Sequence, residues 1–207
     1  LVLGPAFSPD GETLAYTEIN ADTYPRLRTI QADGTKDRTL ALRNSGFHLS
    51  WSPDGQQIAF AQLEVYKNYS FYSDLYLSDA RTGKTRRLTH GLRARDPAFS
   101  PDGKRLIFVL NKLGKSQLAI LDMVSSQVEV LTEGTQENQY AHPRWSPDGR
   151  KIVLSVWHQG YQDIALFDSA NRTLHLITDD PAMDITPVWS PDGQWIYFTS
   201  ERTGIYN

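Results

Sequence analysis

One position recurs in each unit of a repeating chain, and four of its five occupants are polar. Gly4, His48, Asp96, His142 and Thr186 each stand three residues ahead of an aromatic followed by Ser-Pro-Asp-Gly. Imidazole and carboxylate can accept protons, bind cations or hydrogen-bond a polar ligand near neutral pH, so His48, Asp96 and His142 are candidate ligand or partner contacts. The competing reading is of solvated groups that close a strand. No His-Glu-x-x-His spacing supports a metal. The five turn aspartates, Asp10, Asp54, Asp102, Asp148 and Asp192, invite a paired-carboxylate reading, but each is explained by turn chemistry and glycoside hydrolysis needs one pair rather than a series. A Gly-x-Ser-x-Gly elbow, a phosphate-cradling glycine loop and calcium-loop spacing are all absent. With 0 Cys there is no thiol nucleophile and no thiolate metal site. The expectation is a chain with no catalytic residues, no metal and no cofactor.

Aromatic residues supply a second kind of candidate. The stretch from Leu63 to Ser73 reads as the longest loop and carries Tyr66, Tyr69 and Tyr72, rings that give large contact area at small entropic cost. The same rings would serve equally to fold the loop back onto its own scaffold. Trp157, His158 and Tyr161 form a weaker cluster in the corresponding loop of a later repeat. Arg81, Lys84, Arg86, Arg87, Arg93 and Arg95 make the one strongly basic stretch, which reads mostly as an outer strand protected by charge against edge pairing.

These residues must be positioned by repeated strands. The aromatic-Ser-Pro-Asp-Gly segment occurs at Phe7, Trp51, Phe99, Trp145 and Trp189, at intervals of about 44 to 48 residues, the period of propeller blades. After each turn come three apolar residues in a row, as in Ile58-Ala59-Phe60 and Ile152-Val153-Leu154, which predicts a strand buried on both faces. An alternating stretch ending in Asp79, Asp122 or Asp168 predicts a third strand, and Thr89, Thr132 and Thr178 close a fourth. Pro5, Pro97, Pro143 and Pro187 lie two residues before their aromatics, which places the first strand at a sheet edge. The 14 Gly and 11 Pro suit short strands and turns. The fold class is therefore all-β, a β-propeller of four-stranded blades: four complete blades at about 1–44, 45–91, 92–135 and 136–180, and half of a fifth at 181–207. A six-bladed ring would need on the order of 70 further residues, so the chain is expected to be part of a larger ring.

The five copies, with Trp189-Ser-Pro-Asp-Gly-Gln-Trp-Ile-Tyr-Phe as the fullest, resemble the WD40-like repeats of TolB-type propellers. That resemblance implies a noncatalytic scaffold that binds a protein or peptide partner in the periplasm or elsewhere outside the cytoplasm. Similar repeats also form accessory or gating propellers of serine or zinc peptidases, whose catalytic domain would lie outside this chain. The net charge of -3 argues against a nucleic-acid partner. No apolar run approaches the ~20 residues of a membrane span, so no membrane insertion is expected.

Overall fold

The computed structural model describes residues 1–44, 48–67 and 69–204, and of Tyr66 only the backbone. Local chemistry builds the Ser-Pro-Asp-Gly turns. In the first, the Ser8 hydroxyl donates to Asp10 Oδ1 at 2.5 Å and accepts the Thr13 N–H at 2.9 Å, while Asp10 Oδ1 also accepts the Glu12 N–H. The Gly11 N–H closes the reversal on Ser8 O, with Gly11 at φ 74°. Ser52 and Asp54, Ser100 and Asp102, Ser146 and Asp148, and Ser190 and Asp192 repeat the arrangement. Five copies of one turn thus set five antiparallel strand pairs.

Each turn opens a sheet whose strands lie in sequence order. The first sheet holds β1 to β4 (Val2–Phe7, Thr13–Asn20, Thr23–Gln31, Arg38–Leu42). The second holds β5 to β8 (Leu49–Trp51, Gln57–Tyr66, Ser70–Asp79, Thr85–Arg87) and the third β9 to β12 (Ala94–Phe99, Arg105–Lys112, Lys115–Asp122, Val128–Val130). The fourth holds β13 to β16 (Gln139–Trp145, Lys151–His158, Tyr161–Asp168, Thr173–Leu176), and a two-stranded sheet pairs β17 (Asp184–Trp189) with β18 (Ile196–Ser200). No helix occurs among the described residues, and these all-antiparallel sheets are propeller blades. The chain divides into two compact units, Leu1–Phe99 and Ser100–Asn207.

Within each unit, the core is built from second and third strands. Ile58, Ala59 and Phe60 on β6, Leu106, Ile107 and Phe108 on β10, and Ile152, Val153 and Leu154 on β14 are all fully buried, as their unbroken apolar runs predict. The run on β18 departs from this, with Tyr197 exposed. The threonines that close the fourth strands act as clasps. The hydroxyls of Thr89, Thr132 and Thr178 accept the N–H groups of Leu75, Leu118 and Ile164, tying each chain exit back to the third strand.

Close approach between sheets constrains the turns. In the first unit, Gly83 lies after β7 at φ 74°, and a Cβ there would overlap the Leu40 carbonyl of β4. Gly83→Ala is expected to cost about 2–3 kcal/mol, because both backbone conformation and the backbone contact must yield. Chemical denaturation would check this, and a loss under about 0.5 kcal/mol would reject it.

Candidate functional site

The recurring polar positions are set by a backbone defect. Proline lacks the N–H that a ladder requires, and it disfavours right-handed helical geometry in the residue before it. Gly4, Asp96, His142 and Thr186, each directly before a proline, lie in the left-handed region at φ 56°, 54°, 55° and 53° rather than in the extended region that a following proline favours. The β1–β2, β13–β14 and β17–β18 registers all shift across these residues. A bulge re-aims the side chain it carries, and a non-glycine residue held there stores about 1–3 kcal/mol of strain. His48 precedes Leu49 instead, and β5 pairs with β6 without a shift.

In the first unit, His48 and Asp96 are joined through a residue that sequence reasoning missed. Arg43 is fully buried, with its guanidinium donating to the Thr17 hydroxyl and, at 3.0 Å, to the His48 carbonyl. It lies over the Phe60 ring at 5.6 Å. Burial pulls its pKa down to about 10 against the opposing pull of the Asp96 carboxylate. Asp96, itself nearly buried, also accepts from Arg95 at 2.7 Å.

In the second unit, His142 and Thr186 meet on Ser155. The His142 Nδ1 lies 3.4 Å from Ser155 Oγ, which also accepts the Thr186 N–H at 3.2 Å. The Thr186 hydroxyl continues to Thr199. Thr17, Ser155 and Thr199 occupy the same place, ten residues after the blade aromatic, where the other two blades have Ala61 and Val109. That alternation of hydroxyl and methyl is the sequence signal that marks the layer beneath the bulges. Among the described residues, no three or more His, Asp or Glu side chains are grouped to hold a metal ion.

The stretch from Leu63 to Ser73 is not a loop, which corrects the sequence reading. β6 and β7 pair without interruption to Tyr66 opposite Ser70. The reason is that Val65 and Phe71 form a cross-strand pair of strong strand formers, and Glu64 faces Tyr72 beside them. Tyr66 therefore ends a strand, while Tyr69 sits in the turn and is 93% exposed. Val65 and Phe71 are also exposed, and Tyr72 lies beneath the Arg93 guanidinium at 4.2 Å. Glu64 accepts from the Tyr76 hydroxyl at 2.5 Å, whose pKa is pushed up to about 12 by burial first and by this carboxylate second. Trp157, His158 and Tyr161 are likewise the paired ends of β14 and β15 rather than a loop, with His158 Nδ1 3.0 Å from Asn138 Oδ1.

The basic stretch is less free than an edge-protection reading implies. Arg87 bonds Asp74 at 2.7 Å, Arg95 bonds Asp96, and Arg93 covers Tyr72. The turn aspartates remain turn residues: the serine hydroxyl beside each, above all, holds the carboxyls of Asp10, Asp54, Asp102 and Asp192 below the usual range, and Asp148 behaves alike. An acid catalyst needs the opposite shift.

Known proteins agree with this architecture. The chain is 34% identical over 131 residues to a protein TolB homolog of Chlorobium luteolum, covering 60% of this chain and 27% of that protein. It is 38% identical over 65 residues to dipeptidyl-peptidase 5 of Porphyromonas gingivalis, covering 29% of this chain and 10% of that enzyme. The crystal structure of TolB from Acinetobacter baumannii superposes with a TM-score of 0.77 at 23% identity, over 96% of this chain and 48% of that one. The chain thus spans less than half the length of each of these proteins. The sequence profile of the TolB beta propeller domain matches residues 1–142 and 134–207, and the chain belongs to that family.

Proposed function

We propose that these blades are a noncatalytic scaffold that binds a protein or peptide partner outside the cytoplasm. The contacts would come from His48 just before β5, from the strained first-strand positions Asp96 and His142, and from the blade-two hairpin with Tyr66, Tyr69 and Tyr72. The observation that carries the reading is the hairpin itself: a rigid, paired extension that holds Tyr69, Phe71 and Val65 in solvent. Exposed aromatics on a rigid support suit recognition, because little side-chain entropy is lost on binding. The resemblance to TolB-type propellers, which implies a protein or peptide partner, supports the reading. The dipeptidyl-peptidase similarity favours a second reading, an accessory propeller of a larger peptidase.

A photoreactive benzoylphenylalanine placed at Tyr69 or Phe71 of the intact protein should yield a discrete partner adduct in cells, and one placed at Arg86 should not. His48→Ala should reduce adduct yield about tenfold, a change expected from loss of one interface contact. Adducts from position 86 alone would place the interface on the blade edge and overturn the proposal. Turnover of a fluorogenic dipeptide by the intact protein would favour the peptidase reading.

A further inference from the structure

One blade junction differs from another in a way that defines a ligand. In the second unit, the Arg105 guanidinium lies over the Trp145 ring at 4.8 Å. Arg105 is the cross-strand partner of Asp122 and stands six residues after its blade aromatic. Its charge, after hydrogen bonds within the turns, helps lower the carboxyls of Asp102 and Asp122. A cation stacked on indole between carboxylates is thus the filling of that junction.

The corresponding residues of the first unit are Thr13, opposite Gln31, beside Trp51. Both charges of the Arg105 and Asp122 pair are replaced there by shorter or neutral groups. Thr13, Gln31 and Trp51 line an open cleft of about 780 Å³ whose charged wall holds Asp10, Asp37, Asp54 and Asp79 against Lys36, Arg38 and Arg81, with Asp37 already paired to Arg28. Trp51 is held in place by its Nε1–H, which donates to Ala6 O at 2.9 Å. The turn bonds of Asp10 and Asp54 all go to Oδ1, which leaves Oδ2 outside the turns. Arg38, also on the wall, donates to the carbonyls of Ala80 and Arg81 rather than to a carboxylate.

We propose that this cleft binds a guanidinium group, the side chain of an arginine in a peptide, stacked on Trp51 and paired with Asp10 and Asp54. A planar cation matches both an indole face and a carboxylate fork, whereas an ammonium matches only the charge. The site is separate from the hairpin and bulge residues of the proposed partner surface, so either can fail without the other.

Calorimetric titration of the intact protein with acetyl-Ala-Arg-Ala-amide, its citrulline analogue, its lysine analogue and free L-arginine tests the assignment. Saturable binding of the arginine peptide is expected, at least tenfold tighter than the citrulline peptide and tighter than the lysine peptide. Free arginine binding more weakly than the peptide identifies a peptide ligand, and equal binding identifies a free guanidinium compound held by the same chemistry. Thr13→Arg recreates the filled junction and should abolish binding, while Thr13→Ser should retain it and Tyr69→Ala should not alter it. Equal affinity for the citrulline peptide, no saturable binding, or undiminished binding by Thr13→Arg would overturn the proposal.

Discussion

Asp96→Asn is expected to destabilise the protein by about 3 kcal/mol, the cost of leaving a buried cation without its counter-charge. Asparagine has nearly the same shape and tolerates the left-handed backbone that Asp96 adopts at φ 54°. The loss is therefore electrostatic rather than conformational. It falls on Arg43, which has no exposed surface and is already drawn toward neutrality by burial, with the Asp96 carboxylate as the opposing influence. Arg43→Met should be milder, because Asp96 keeps its 2.7 Å bond to Arg95 while the methionine can lie against Phe60. The double variant should recover part of the Asp96→Asn loss, since the uncompensated charge is gone. Urea unfolding of the four proteins measures this cycle. Losses that simply add would show that Asp96 and Arg43 do not act on each other.

Asp74→Ala is expected to cost about 4 kcal/mol, because it removes a buried acceptor from four donors at once. Oδ1 accepts the Thr89 hydroxyl and the Leu92 N–H, and Oδ2 accepts the Gly91 N–H and Arg87. Without the carboxylate, the exit of the fourth strand loses its anchor. Asp163 holds the same place on β15 and should behave in the opposite way. Leu176 stands where blade two has Arg87, and burial first, then the neighbouring charges of Asp179 and Asp184, pushes the Asp163 carboxyl up. A raised carboxyl costs folding stability where it is ionised, and the cost shrinks as pH falls through its folded value and is gone below the ordinary unfolded value. Asp163→Asn should therefore be neutral or stabilising at pH 7, and any gain should shrink on acidification. Thermal melts between pH 4 and pH 7, from about the ordinary carboxylate range upward, would show it. A loss as large as that of Asp74→Ala would reject the distinction.

Much of this architecture was legible in the amino-acid order because its bonds are short in sequence. The turns join Ser8 to Asp10 and to Thr13, two and five positions apart, so residue types in one short segment determine them. The three-residue apolar runs marked the buried second strands, and the prolines marked the first strands as sheet edges, though not their bulges, since each is a local consequence of side-chain shape. Thr89 was visible as a repeated residue, yet its bond to the Leu75 N–H was not. The hairpin was not legible, because Tyr69 and Lys67 suggest a loop, whereas pairing of Val65 with Phe71 makes strand.

What only the tertiary structure decided is which polar groups share a buried site. Arg43 reads as one more surface arginine until β2 brings Thr17, 26 residues earlier, against it and Asp96 approaches from β9. His142 and Thr186 are equivalent letters in two repeats until Ser155 accepts from one and contacts the other. The Trp51 cleft brings together that ring and Thr13 of a neighbouring sheet, 38 positions apart in sequence. Turn and strand follow from forces between neighbours along the chain. A site depends on charges and hydroxyls that become neighbours only when sheets have packed and water has left, and that desolvation gives them their strength.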